Sequence, residues 1–170
     1  TDWSTEIKER VFHSFHRVPI TVEELQLKET TGTHQRVIDM VAHELITKER
    51  IEEWKELPGV APGVDISRDI VKLAAIERHK NTGHVGLGFL GKYGLKKGAV
   101  ATSIGHDSHN LVIAGVTDED MVLAGNRVIE NGGGLAIALE GKVLADLPLP
   151  IGGLMADEPV EVVDEKLEHM

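Results

Sequence analysis

The sequence predicts an α+β domain whose sheet is mixed but mostly antiparallel, with a few helices packed against it. Short apolar segments typical of strands follow one another with few helices between them, as expected for this class. The chain has 170 residues, enough for a sizeable core but fewer than the roughly 250 of a (β/α)₈ barrel. Aromatic residues make up only 4%, so we expect a core of valine, isoleucine, leucine and alanine.

The composition also narrows the possible functions. A net charge of −10 argues against a surface for nucleic acid or anionic membranes, because both bind basic patches. The chain has no cysteine, which excludes disulfides, thiolate metal sites and a cysteine nucleophile and fits a reducing compartment. No apolar run approaches the roughly 20 residues of a membrane span. We therefore expect a cytoplasmic protein with no nucleic-acid partner and no membrane partner.

Two parts of the chain differ in pattern. Residues 1–60 are charged and mixed, and we interpret them as an N-terminal segment that leads into a domain body at residues 61–170. The loop "LPGVAPGVD", Leu57–Asp65, contains two Pro-Gly pairs and lies at this boundary.

The N-terminal segment predicts three elements. "VFHSFHRVPI", residues 11–20, alternates well enough for an edge strand. Thr21 precedes Glu24 by three residues, a capping box that predicts a short helix. A second strand is predicted at Arg36–Ala42.

The body has a sharper pattern. Its predicted strands are "DIVKLAAIERH" (69–79), "GAVATSI" (98–104) and "NLVIAGV" (110–116), and its predicted hairpin is "GLAIALEGKVLADLPL" (134–149), which turns at Glu140-Gly141. Between them "TDEDMVLAGNRVIENGG" (117–133) predicts the clearest helix, because Thr117 can cap it and acids follow in the first turn. The acidic tail after Met155 predicts a surface helix.

The densest polar motif is "HDSHN", His106–Asn110, between two apolar strands. Four interpretations remain open on the residues alone. A metal site needs His106 and His109 on one side, although residues three apart on a strand point to opposite faces. A Ser-His-Asp triad needs an alignment that adjacent residues rarely reach. The others are a polar loop bonded to its own backbone and a loop that presents Asp107, Ser108 and their neighbours to a ligand or another domain.

Two further motifs have competing interpretations. "GLGFLG", Gly86–Gly91, matches a dinucleotide-binding pattern, but it lacks an apolar strand before it and a helix after it, which favours a glycine-rich turn. "ERH", with Glu77, Arg78 and His79, ends a predicted buried strand. These residues either line a cleft or form a surface pair between Arg78 and a carboxylate.

Several of these pieces resemble the C-terminal domain of bacterial and archaeal adenine deaminases. The similarity runs over roughly residues 67–155 and is carried by "ERH", "GLGF", "HDSHN", "DEDM", "GGG" and "LPLPIGGLM", while "VPITVEEL" fits the segment before the domain more loosely. Gly105 departs from the pattern, where we expect a residue such as alanine. The competing interpretation is a stand-alone nucleotide-binding or regulatory module.

The resemblance implies a function for the complete protein. Such enzymes belong to the amidohydrolase superfamily and hydrolyse adenine to hypoxanthine and ammonia, with manganese or iron in a (β/α)₈ barrel. That barrel is absent here, so we expect no catalytic residue, metal ligand or cofactor in this chain. We expect adenine and the barrel domain as partners in the full enzyme, and a homo-oligomer.

The loop His106–Asn110 lies between two apolar strands, which hold its base while its tip projects, so we expect it to bind substrate by reaching over the barrel's active site. Asp107, Ser108 and His109 are the expected substrate contacts beside His106, with Asn110 bracing the turn. Glu77, Arg78 and His79 are weaker candidates for the same role. "LPLPIGGLM", Leu147–Met155, is expected to expose a rigid apolar edge where the barrel docks.

Overall fold

One eight-stranded sheet dominates the computed structural model, which describes residues 4–27 and 32–170. In this part of the chain the strands are β1 (His34–Met40), β2 (Thr47–Glu53), β3 (Ile70–Ile76), β4 (Val85–Gly91), β5 (Ala99–Thr102), β6 (Leu111–Gly115), β7 (Gly134–Leu139) and β8 (Lys142–Pro148). The helices are α1 (Thr5–Phe12), α2 (Val22–Leu25), α3 (Asp118–Glu130) and α4 (Val160–Glu168), with a 3₁₀ turn at Ile66–Arg68.

The strand order is β2-β1-β4-β3-β6-β5-β7-β8. The β1–β4 pair is parallel, and the other neighbouring pairs are antiparallel. The predicted fold class, α+β with a mixed, mostly antiparallel sheet, is therefore confirmed. Because β1 and β2 join the same sheet as the body, the sheet crosses the predicted boundary at residue 60. That division stays a prediction, and parts of the predicted segment, residues 1–3 and 28–31, lie outside the described residues.

Helix α3 covers one face of the sheet. Thr117 caps it as predicted, with its hydroxyl accepting from the Asp120 amide at 3.4 Å. The predicted apolar stripe is buried: Met121, Ala124, Gly125 and Val128. A Cβ at Gly125 would lie 2.6 Å from Ile113 Cδ1, so glycine allows the helix to approach β6 closely. The core between them is aliphatic, as the scarcity of aromatic residues predicts.

The loop Leu57–Asp65 covers part of the opposite face. Ala61 and Val64 are buried against Val71 of β3 and Ala114 of β6. The segment therefore contributes to the core and does not act as a linker.

Three elements differ from the sequence-based predictions. The strand predicted at residues 11–20 is wrong, because α1 extends through Phe12 and residues 14–20 are irregular. The glycine-rich turn at Gly86–Gly91 is also wrong, because this segment lies within strand β4 and pairs along its length with β3. A Cβ at Gly91 would meet the Asp39 carboxylate, which explains the glycine there. Strand β2 went unpredicted because its sequence is highly charged and it forms a sheet edge.

The remaining predicted elements are confirmed. The Thr21–Glu24 capping box opens α2, β1 occupies most of the strand predicted at Arg36–Ala42, and the β7–β8 hairpin turns at Glu140-Gly141. Helix α4 follows Met155, and none of its residues is buried. Within residues 4–27 and 32–170, no helix has the length and apolar character needed to cross a bilayer.

Candidate functional site

The two polar motifs meet at one end of the sheet. His106–Asn110 lies in the connection from β5 to β6, and Glu77–His79 directly follows β3. The register pairs Ile76 of β3 with Leu111 of β6, so the end of β3 is beside the start of β6. The topology therefore brings together residues that lie about 30 positions apart in the sequence.

The loop itself is a tight turn. Asp107 and His109 both have a left-handed backbone, with φ of 65° and 45°. Residues of these two types tolerate that region better than most. The amide of Ser108 donates to the His106 carbonyl at 2.9 Å, and the amide of His109 donates to the Gly105 carbonyl at 2.9 Å. Backbone groups close the turn, which leaves the side chains at its tip available.

Arg78 and His79 support the base of the loop. Arg78 Nε donates to the His109 carbonyl at 2.6 Å, and His79 Nε2 donates to the Ser108 carbonyl at 2.8 Å. These bonds brace the loop, and the bracing role of Asn110 stays a prediction. The consecutive carbonyls of Ser108 and His109 are thus held by side chains that follow β3, so the base of the loop is rigid.

Arg78 is the central residue of this support. It is 1% exposed, and its Nη2 donates to the Gly152 carbonyl at 3.0 Å. Its guanidinium carbon lies 4.9 Å from the centre of the Phe15 ring, a cation–π contact. The surface pair with a carboxylate is therefore wrong. Burial lowers the pKa of Arg78, yet an arginine keeps its proton in proteins, so a buried positive charge faces carbonyl oxygens and a ring.

The tip of the loop points into solvent. The side chains of His106 and Asp107 are each 88% exposed, and His106 Nδ1 lies 3.3 Å from Asp107 Oδ1. Ser108 is exposed as well, whereas His109 and Asn110 are half-buried. His109 Nδ1 is buried and has no hydrogen-bond partner among the described residues. The site therefore divides into an accessible tip, residues 106–108, and a packed base.

Glu77 is occupied by its own turn. Its carboxylate accepts from the amides of His79, Lys80 and Thr82 at 2.5, 2.8 and 2.9 Å and from the Thr82 hydroxyl at 2.9 Å. These bonds, led by that of the Thr82 amide, lower the pKa of Glu77 from 4.5 to about 2. The carboxylate thus orders the β3–β4 turn that carries Arg78 and His79.

The Glu77 bonds predict a pH dependence. Because the folded-state pKa is depressed, the ionised form contributes stability that is fully present above about pH 4.5 and is lost as pH falls to about 2. The Glu77→Gln variant should therefore lose less stability than the wild type across this window. Melting temperatures measured between pH 2 and 6 check this, with Glu56→Gln, an exposed glutamate outside the turn, expected to follow the wild type. Parallel curves for Glu77→Gln and the wild type would contradict the assigned role.

Ser103 joins the loop region to the rest of the fold. It is fully buried, accepts from the Gly134 amide at 2.7 Å and lies 2.5 Å from the Gly153 carbonyl, to which it donates. A Cβ at Gly153 would lie 2.7 Å from Arg78 Nη1, so this glycine allows the buried guanidinium to pack against the backbone. Ser103 and Arg78 therefore hold the segment after β8 against the base of the loop.

The Ser103→Ala variant should be clearly less stable. It leaves a buried amide and a buried carbonyl without this partner, which typically costs about 1–3 kcal/mol of unfolding free energy. Chemical denaturation measures the loss. Ser14→Ala is a matched control, because its hydroxyl is buried without a partner among the described residues, and its removal should cost little. Equal stability of the two variants would contradict the role of Ser103.

Comparison with known proteins identifies the family. Residues 44–170 match the sequence model of the adenine deaminase C-terminal domain. The chain belongs to this family. Adenine deaminase from Lysinibacillus sphaericus (strain C3-41) is 42% identical over 158 residues, which cover 92% of this chain and 27% of that protein. The adenine deaminase of Oleidesulfovibrio alaskensis is 48% identical over 151 residues, 89% of this chain and 26% of that protein.

A third relative also matches most of this chain over a small part of its own length. Adenine deaminase from Kosmotoga olearia is 48% identical over 139 residues, which cover 82% of this chain and 24% of that protein. The chain thus spans about a quarter of the length of the curated relatives that it matches. The resemblance predicted from "HDSHN" and its companion motifs is confirmed.

The described residues of this adenine deaminase C-terminal domain can be compared with what a catalytic metal requires. Such a metal typically has about three protein ligands. Among the described residues, no group of three histidine, aspartate or glutamate side chains could hold an ion. His106 and Asp107 form only a pair, and His109 Nδ1 is buried away from the tip. The donor set therefore does not fit the manganese or iron implied for the complete enzyme.

The sequence did not predict that the segment after β8 helps to hold the base of the loop. "LPLPIGGLM" was predicted to be an exposed apolar edge, but Leu147 and Leu149 are 3% and 5% exposed. Only its end is open, at Met155. The segment instead supplies the carbonyls of Gly152 and Gly153 to Arg78 and Ser103. The paired glycines were the available signal, since they allow close backbone approach.

Proposed function

We propose that this chain is the C-terminal part of an enzyme that hydrolyses adenine to hypoxanthine and ammonia, and that the tip of the His106–Asn110 loop lies over its active site. The relatives named adenine deaminase support the reaction. They are about four times as long as the matched region, so the groups that perform the hydrolysis belong to the remaining part. A manganese or iron ion held there would supply the hydrolytic chemistry.

The observation that best supports the proposal is the exposed tip, residues 106–108, held on a rigid base. Asp107 accepts hydrogen bonds, Ser108 both donates and accepts, and His106 does either according to its protonation. Adenine offers an exocyclic amine that donates and ring nitrogens that accept. A site built from such groups discriminates strongly against analogues that lack the matching atom. We assign Asp107, Ser108 and His106 to direct contact, and Arg78, His79 and Glu77 to positioning the loop.

The loop also serves to exclude water. Closure of an active site strengthens the electrostatic interactions inside it and limits side reactions. The rigid base, held by Arg78 and His79, would keep the tip in one place during this closure. A homo-oligomer, a cytoplasmic location and membership of the amidohydrolase superfamily stay predictions for the complete protein.

Ammonia release from adenine tests the proposed function. The complete polypeptide should release ammonia in a metal-dependent manner, and the 170-residue chain should not. Metal-dependent turnover by this chain alone would contradict the assignment of the chemistry to the missing part. Tight binding of adenine nucleotides by this chain, with no turnover by the complete polypeptide, would instead favour a nucleotide-binding or regulatory module.

A further inference from the structure

Part of the sheet face opposite α3 is left uncovered by the part of the chain that the structure describes. In β5, β6 and β7 every second residue is buried toward α3, including Ala101, Ile113 and Ala136. Their neighbours point the other way, and apart from Ala114, which the Leu57–Asp65 loop covers, they are only half-buried. We call these residues the open face: Ala75, Val100, Thr102, Val112, Leu135 and Ile137.

The open face is continuous and uncharged. The register aligns Ala75, Val112, Thr102 and Leu135 in one row across four strands. Val100 and Ile137 lie side by side in the next row. Among the helices of the described chain, α3 alone packs closely on β5, β6 and β7, and it lies on the other side. An apolar sheet face of this kind normally packs against another layer.

The described residues, 4–27 and 32–170, cover one part of this side of the sheet. Ala61 and Val64 pack over Val71 and Ala114, toward the end of the sheet away from the His106–Asn110 loop. The open face begins where this cover stops. It extends to the end of the sheet that carries the loop.

The open face adjoins the loop directly. Ile104, two residues after the end of β5, is 49% exposed. A Cβ at Gly105 would lie 3.7 Å from Val112 Cγ2. Any partner that covers the open face is therefore a neighbour of the loop.

We infer that the open face docks onto the part of the complete adenine deaminase that lies outside this chain, an inference that rests on the proposed function. The curated relatives contain about three quarters of their length outside the matched region, so such a partner exists in them. Docking buries apolar surface, at about 25 cal/mol per Å² removed from water. It also brings the active site in that part next to His106, Asp107 and Ser108.

Charge argues against a second copy of this chain as the occupant. Each copy carries a net charge of −10, so two copies would repel each other around the contact. A symmetric contact over the open face would also place a second copy beside both loop tips. The remaining part of the same polypeptide is instead held beside the open face by the covalent chain.

Site-specific photocrosslinking in the complete polypeptide tests the inference. A diazirine analogue of leucine replaces Leu135 of the open face, and the same analogue at Leu45, which is 99% exposed, is the control. We expect a several-fold higher crosslinked fraction at Leu135, with the crosslinks leading to peptides of the same polypeptide outside this chain. Val100 provides a second position if the Leu135 variant fails to fold.

Each contrary result is distinct. Quenching by water at Leu135 and Val100 to the same extent as at Leu45 would overturn the inference. Crosslinks between isotopically labelled and unlabelled copies would overturn it in favour of a second copy. Because the readout does not depend on turnover, it separates this inference from the proposed role of the loop in the reaction.

Discussion

Replacement of Asp107 by alanine in the complete enzyme is expected to lower kcat/KM for adenine by about 5- to 150-fold, the equivalent of one good hydrogen bond of about 1–3 kcal/mol. The side chain is 88% exposed at the tip of a braced loop, so its removal takes away a ligand-side acceptor and no packing. Steady-state ammonia release at several adenine concentrations measures the change. The melting temperature should fall only slightly, because the side chain is exposed and the only cost is that alanine tolerates the left-handed backbone of this position less well than aspartate.

A matched control separates charge from position. Asp157→Ala removes another exposed carboxylate, far from the loop in sequence, and should leave kcat/KM unchanged. Ser108→Ala should follow Asp107→Ala, whereas His109→Ala should also reduce stability because part of its side chain is buried. Full activity with reduced thermal stability in the Asp107 and Ser108 variants would identify the loop as purely structural.

Replacement of Arg78 by methionine is expected to destabilise the chain by about 3 kcal/mol or more and to lower activity with it. The variant leaves the buried carbonyls of His109 and Gly152 without their charged donor, and each such bond is worth about 1.5–3 kcal/mol. The free energy of unfolding, measured by denaturant titration, gives the size of the loss. The loop should also lose its fixed position, so kcat/KM for adenine should fall even at temperatures where the variant is folded.

Two further variants make this test specific. Arg78→Lys should not restore stability, because a lysine cannot bond both carbonyls and stack on Phe15 with a planar group. Arg36→Met removes an arginine whose side chain is 76% exposed and paired only at the surface with Glu49, and its effect should be below about 0.5 kcal/mol. Wild-type stability of Arg78→Met would show that the base of the loop is held by other groups.

Local sequence patterns were sufficient to predict the helices and strands whose caps and apolar spacing lie within a few residues of one another. Thr117 can cap α3, and the four residues of its buried stripe, Met121, Ala124, Gly125 and Val128, are spaced at the period of a helix, so the sequence alone predicts that helix. The strands β5 and β6 are short apolar runs that end at polar loops, and they were predicted for the same reason. The placement of the candidate loop between them follows directly.

The predictions that failed concern features that depend on contacts between residues far apart in the sequence. Strand β4 is rich in glycine, and its strand conformation depends on pairing with β3 and β1, which local propensity does not encode. The role of Arg78 depends on carbonyls 31 and 74 residues away. The sequence contains both motifs, "ERH" and "HDSHN", but the contact between them depends on the strand order, which neither motif encodes.

The division of the loop into an exposed tip and a buried base has a consequence for how this sequence can change. Residues 106–108 contribute little packing, so substitutions there remove little folding free energy, except for side chains that the left-handed backbone at Asp107 disfavours. The base has no such freedom, since changes at Arg78 or Ser103 reduce stability first. On the proposed function, new preferences for related heterocycles would therefore evolve, or be selected in the laboratory, by varying these three positions while the supporting residues stay fixed.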